Sequence, residues 1–193
     1  HFIIYSNGQP AIIDVGVETY CKDTFGPIRY TLPYMRSNSH NIPVINNTEQ
    51  LYGKRYKAQN VRFQTNDGIS LLEMNLESLY PTESHLISFQ RIAEYNHKSS
   101  QVIIKDSIEF DQDNNIIEIN FYTQEKPIIN KNQITLLTSL ELTIKTSAAH
   151  MTIESTEILL SDGRLLNSWR SPLWKITGQF KVTDKKISMQ YEF

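Results

Sequence analysis

Residues 100–123 read "SQVIIKDSIEFDQDNNIIEINFYT". Ile, Val, Phe and Tyr crowd both ends, and these residues suit a pleated, half-buried surface. Between them "FDQDNN" gathers turn formers. In both runs the dominant period is near two rather than 3.6, which predicts two strands joined by a turn. The same grammar continues outward. "KAQNVRFQT", "ISLLEMNLE" and "LISFQRIAEYN" precede the stretch; "TLLTSLELTIKT", "AHMTIESTEILL", "WKITGQFKVT" and "KISMQYEF" follow it. "TNDG", "SDGR" and "VTDKK" supply further turns. Near the start, "HFIIYS" and "AIIDVGV" flank "NGQP", where Asn-Gly offers a left-handed turn. "LEMNLESLY" taken alone reads as helix, but its neighbours favour strand. No amphipathic helix of three turns is visible. Ten or more strands at roughly 8–12-residue spacing predict an all-β fold, a sandwich or a barrel, and of the two a two-layer antiparallel β-sandwich is expected.

The chain has 193 residues, a length that suits one domain of this kind. At that size about two-thirds of the unfolded surface is buried on folding, so a core forms without disulfides. None is possible within the chain, because Cys21 is the single cysteine, and the same count excludes a zinc site built on several cysteines. The net charge of −2 and sequence pI of about 6.2 argue against a dedicated nucleic-acid binder. No apolar run approaches the roughly 18–20 residues that span a membrane. The opening "HFIIYSNGQPAIIDV" starts within a strand, so residues 1–193 are expected to be a single sandwich domain cut from a longer chain. There is no phosphate-binding Gly-Lys-Ser/Thr loop, no Gly-x-Ser-x-Gly elbow and no complete catalytic constellation.

Within residues 16–42, "GVETYCKDTFGPIRYTLPYMRSNSHN" breaks the strand pattern. Irregular excursions of that length are usually functional or disordered, and four aromatics with two arginines weigh against disorder. Arg29 and Arg36 flank Phe25, Tyr30 and Tyr34. A guanidinium fork binds carboxylate or sulfate, and aromatic rings stack on sugars, so this is the composition of a wall for an acidic sugar chain. A loop stapled down by its own aromatics has the same composition. Asp14 ends the apolar run "AIID", where a carboxylate needs a partner or a metal, or else begins a turn before Gly16. His40 follows the loop; imidazole suits zinc, yet most histidines bind nothing. His85, His97 and His150 are candidates by type alone. Two ligands leave a tetrahedral zinc site incomplete.

"FIIYSNGQPAIIDVGVETY", then "RY", then "SNSHNIPVINNTEQLYGKRYKA" resembles the β-sheet domain of the heparinase II/III-like polysaccharide lyases. The shared pattern is an apolar strand, "G.P.IID.G", an irregular loop and "HN..v.ng..Q". Here it is met by Gly8, Pro10, Asp14 and Gly16, then by His40, Asn41, Ile45, Asn46 and Gln50. The match is specific over residues 2–58. "RIAEYNHKSSQVIIKDSIEF" and "RLLNSWRSPLWKI" look like later strands of that domain.

The resemblance implies that Asp14 and His40 are metal ligands, usually of zinc. It implies a third ligand from a His-x-His motif a few residues before Phe2, with the main catalytic residues also upstream, partly on an N-terminal α/α-toroid. His1 stands where the family has a small residue and is given neither role. The implied reaction is β-elimination on a uronate-containing polysaccharide such as a glycosaminoglycan, in a periplasmic or secreted bacterial protein. Arg29, Tyr30, Tyr34 and Arg36 are the residues expected to face the acidic polysaccharide. Without the toroid, the chain is expected to be inactive and to self-associate through uncovered apolar surface. The alternative is a non-catalytic carbohydrate-binding or structural sandwich, with Tyr30, Tyr34, Trp169 and Trp174 as sugar platforms; burial of large aromatics favours core or contact roles for the two tryptophans.

Overall fold

The computed structural model describes residues 1–137 and 140–193. Asn7 and Gly8, both with left-handed φ (51° and 75°), turn β1 (Ile4–Ser6) into β2 (Gln9–Ile12). Beyond the irregular segment come β3 (Val44–Ile45), β4 (Gln59–Asn66), β5 (Ile69–Asn75), β6 (Leu86–Asn96), β7 (Gln101–Phe110) and β8 (Asn115–Thr123). They are followed by β9 (Ile128–Asn130), β10 (Gln133–Thr135), β11 (Glu141–Thr146), β12 (His150–Ile158), β13 (Leu173–Val182) and β14 (Lys186–Glu192). Eight strands form one sheet in the order β4-β5-β6-β7-β14-β11-β10-β9, four form a second in the order β12-β13-β8-β3, and the β1–β2 hairpin is a separate two-stranded sheet. Every pairing is antiparallel. The all-β, two-layer antiparallel sandwich expected from the sequence is the observed architecture.

Alternation explains the layers. Along β14, Ile187, Met189 and Tyr191 are buried while Lys186 and Ser188 are exposed. Their partners in the core are Ile117, Ile119 and Phe121 of β8 and Ile176 and Phe180 of β13. Phe121 meets Tyr191 edge-on across the layers, ring centroids 5.4 Å apart, a favourable quadrupolar arrangement. β7 and β8, which read in sequence as neighbours around one turn, lie in different sheets. The second half of β8, from Ile119 to Thr123, is buried on both faces, because a second cluster of Ile13, Val15, Tyr122, Leu160, Leu165 and Leu173 covers its outer side.

Three local expectations change. "SDGR" is not a plain turn: Asp162 accepts from the Arg164 and Leu165 amides and caps α1 (Gly163–Ser168). A helix of six residues burying one leucine shows no readable period. "LEMNLESLY" is strand to Asn75 and then a 3₁₀ turn over Glu77–Leu79. "TLLTSLELTIKT" divides between the end of β10 and β11, with residues 138–139 outside the described residues. At the open edge of the large sheet all of β4 is exposed, including Phe63 at 70%. A register shift between Gln59 and Arg62, with Asn60 at φ 50°, disrupts that edge as a template for pairing.

Candidate functional site

The segment 16–42 is ordered by short 3₁₀ turns at Lys22–Phe25, Arg29–Thr31 and Ser37–Ser39. Glu49 organises its end. One carboxylate oxygen takes Nε and Nη2 of Arg36; the other takes the Asn38 amide at 3.2 Å and the Ser37 hydroxyl at 3.4 Å. Asn120 on β8 donates to the Asn38 carbonyl at 3.0 Å. His40, which ends this turn, is thereby fixed over β8. Asp14 comes from the other direction, one residue beyond the bridge between Ile13 and Tyr122.

His40 Nδ1 and Asp14 Oδ2 are 2.6 Å apart, and both side chains are largely buried. Asp14 Oδ1 accepts the Gly16 amide at 2.8 Å, and Gly16 sits at φ 83°, where a side chain is strained. Asp14 is therefore at once a turn former before Gly16 and a carboxylate paired with His40. Burial raises its pKa, but the bonds from His40 and Gly16 outweigh this and hold it below the usual value.

His1 joins the pair. Its Nε2 is 3.5 Å from Asp14 Oδ2, and its ring stacks on His40 with centroids 5.2 Å apart. No local motif assigns this residue a role; the fold brings it beside Asp14 and His40. The potential ligand atoms of His1, Asp14 and His40 all lie within 4.8 Å of one another. Two imidazoles and a carboxylate, with the His1 side chain 51% exposed on one side, are a donor set that suits zinc with an open fourth position. His85 instead pairs with Asp111 on the surface, and His97 hydrogen-bonds Ser70.

The four residues expected to face a polysaccharide separate. Tyr30 and Arg36 line one cavity of about 520 Å³ together with Ser37, Gln50, Tyr52 and Pro81, a volume in the range of small-ligand sites. Tyr30 and Tyr52 stack there at 4.0 Å, and the Arg29 guanidinium lies 5.6 Å from the Tyr30 ring. Arg29 Nε is buried without a hydrogen-bond partner among the described residues. Arg36 is held by Glu49, so much of its fork is already used. Tyr34 lies apart, packed on the second cluster with Trp169, and burial and Glu18 raise its phenol pKa. Trp169 donates its indole N–H to the Val15 carbonyl at 2.9 Å, and Trp174 is half-buried under Lys126. Both tryptophans are thus packed rather than displayed.

Tyr52 escaped the sequence reading, since it lies outside the loop and no motif marks it. So did Arg91 and Asp106, a fully buried pair joined by two 2.7 Å bonds. Asp106 falls at an inward position of β7, and that phase was the available signal.

No family model matches the chain, and no curated protein matches it. Two solved structures share its fold. A heparinase III superposes with a TM-score of 0.66 at 14% identity, covering 99% of this chain. A second heparinase III gene product gives 0.65 at 12% identity, covering 97%. In both cases the chain spans only 28% of the matched protein's length.

Proposed function

We propose that this chain is the β-sandwich domain of a polysaccharide lyase that cleaves a uronate-containing polysaccharide by β-elimination. The observation that carries the reading is the convergence of His1, Asp14 and His40 on one point of a heparinase III-like sandwich. These three residues would hold zinc. Bound there, the ion supplies a fixed positive charge beside the irregular segment.

The remaining chemistry follows from what elimination requires. A base takes the proton at C5 of the uronate, the C4–O bond breaks, and the electron pair becomes the C4–C5 double bond. The leaving oxygen takes up a proton. The C5 proton is weakly acidic until the adjacent carboxylate is neutralised by a donor or cation. Arg29 is the group of this chain best suited to that task, since its guanidinium lies beside the Tyr30 ring of the exposed Tyr30–Tyr52 stack. Tyr30 and Tyr52 offer a sugar face, and Arg36 a held positive charge at the same cavity. Tyr34 borders the metal cluster through Tyr122 rather than this cavity. The proton-transfer groups are assigned to an α/α-toroid domain of the same polypeptide, in a periplasmic or secreted bacterial enzyme. The present chain by itself is then inactive.

The test is zinc content and product formation by the full-length protein on a panel of uronans, followed by the ultraviolet absorbance of the unsaturated sugar. About one zinc per chain and an absorbing product are expected. Neither zinc nor product on any uronan sinks the proposal. A second reading, a glycan-binding module without catalysis, is favoured by the solvent-facing Tyr30–Tyr52 stack. It predicts glycan binding with no elimination product.

A further inference from the structure

We propose that Asn41 is a positioning residue of the metal site: it locks the backbone at Phe2 and thereby keeps His1 facing Asp14 and His40. The inference rests on the reading of those three residues as a zinc site.

Asn41 is 1% exposed and both polar atoms of its side chain are hydrogen-bonded. Its Oδ1 accepts the Phe2 amide at 2.9 Å and its Nδ2 donates to the Phe2 carbonyl at 2.7 Å. A carboxamide thus pairs with both polar groups of one residue, as a neighbouring strand would. Asp could only accept there and Ser is too short to span both groups. Phe2 precedes β1, so no ladder fixes it. Its ring packs against Phe121 and Phe193, which seats the side chain without setting the peptide plane before it. That plane sets where His1 points; the bond from its Phe2 amide to Asn41 Oδ1 holds it, while the Nδ2 bond holds the following plane through the Phe2 carbonyl.

The clamp stands on rigid support. Arg91, held by Asp106 through two bonds, reaches the Asn41 carbonyl with Nη1 at 3.4 Å. The Tyr80 hydroxyl donates to the Pro43 carbonyl at 2.6 Å. His40 is the residue next to Asn41, so one short segment carries a ligand and orients another. Outer groups of this kind commonly change metal affinity about 10- to 100-fold.

The experiment is a double-mutant cycle in the full chain, read as zinc affinity by competition with a chromophoric chelator, with amide hydrogen exchange at Phe2. The Phe2 amide should be protected in the wild type and unprotected in Asn41→Ala. Zinc affinity should fall about 10- to 100-fold in Asn41→Ala. Placed in a His1→Ala background, the same substitution should change affinity by no more than about twofold. An equal loss in both backgrounds overturns the proposal, because Asn41 then acts without His1. So does zinc uptake indifferent to Asn41→Ala. A wild type that takes up no zinc overturns the metal reading and this role together. Should Asn41→Ala not fold, Asn41→Ser replaces it; free exchange at Phe2 in the wild type overturns the clamp with no variant at all.

Discussion

Asp14 takes the Gly16 amide through one oxygen and faces His40 and His1 through the other. A residue type and a spacing suggested that it mattered; only the coordinates show both oxygens engaged at once. His40 was likewise readable as a candidate, and His1 was not, because its family position carries a small residue and nothing in the local sequence points to Asp14. Replacing His40 or Asp14 by Ala should lower zinc affinity by more than the ~10- to 100-fold typical of an outer group. His85→Ala, which breaks only an exposed pair with Asp111, should leave it unchanged. Chelator competition on the three variants checks this, and equal losses in all would remove the site's specificity.

At the scale of elements, β6 and β7 carry a buried ion pair between their registered residues Arg91 and Asp106. Two charges without water depend on each other. Removing one leaves the other unpaired in the core, at a cost of about 3–5 kcal/mol. Arg91→Met alone should therefore be strongly destabilising, whereas Arg91→Met with Asp106→Leu should recover much of the loss. Denaturant unfolding of the single and double variants measures this; a double variant as unstable as the single would show that the pair contributes more than mutual neutralisation. The strands themselves were legible: β6 and β8 have the bounds the apolar runs suggested, since each run of branched and aromatic residues ends at a cluster of turn formers. Helix α1 was not, being too short to display a period.

Across the whole molecule, the two layers enclose phenols as well as hydrocarbon. Burial raises the pKa of Tyr80, and burial with the nearby Asp106 raises that of Tyr191. Burial, helped by Tyr34, does the same to Tyr122. A folded pKa above the unfolded value of about 10 means the folded state holds its proton longer. The stability this contributes is complete below about pH 10 and is lost as pH rises toward the folded values. Tyrosinate absorbance should thus rise in two stages, the second, from Tyr80, Tyr122 and Tyr191, only with cooperative unfolding. A single early stage with the fold intact would contradict the packing.

The sequence by itself determined the secondary-structure class, the turn at Asn7-Gly8, the layered β architecture and two of the three clustered residues. These depend on local periodicity and turn chemistry, which are written in neighbouring residues. Tertiary structure alone decided that β7 and β8 part into different sheets, that Arg91 meets Asp106, that Arg36 is taken by Glu49, and that His1 reaches Asp14. Each of those is a contact between residues distant in sequence, or a choice between sheets. Such contacts are fixed by which faces must be buried together, and no local pattern encodes that.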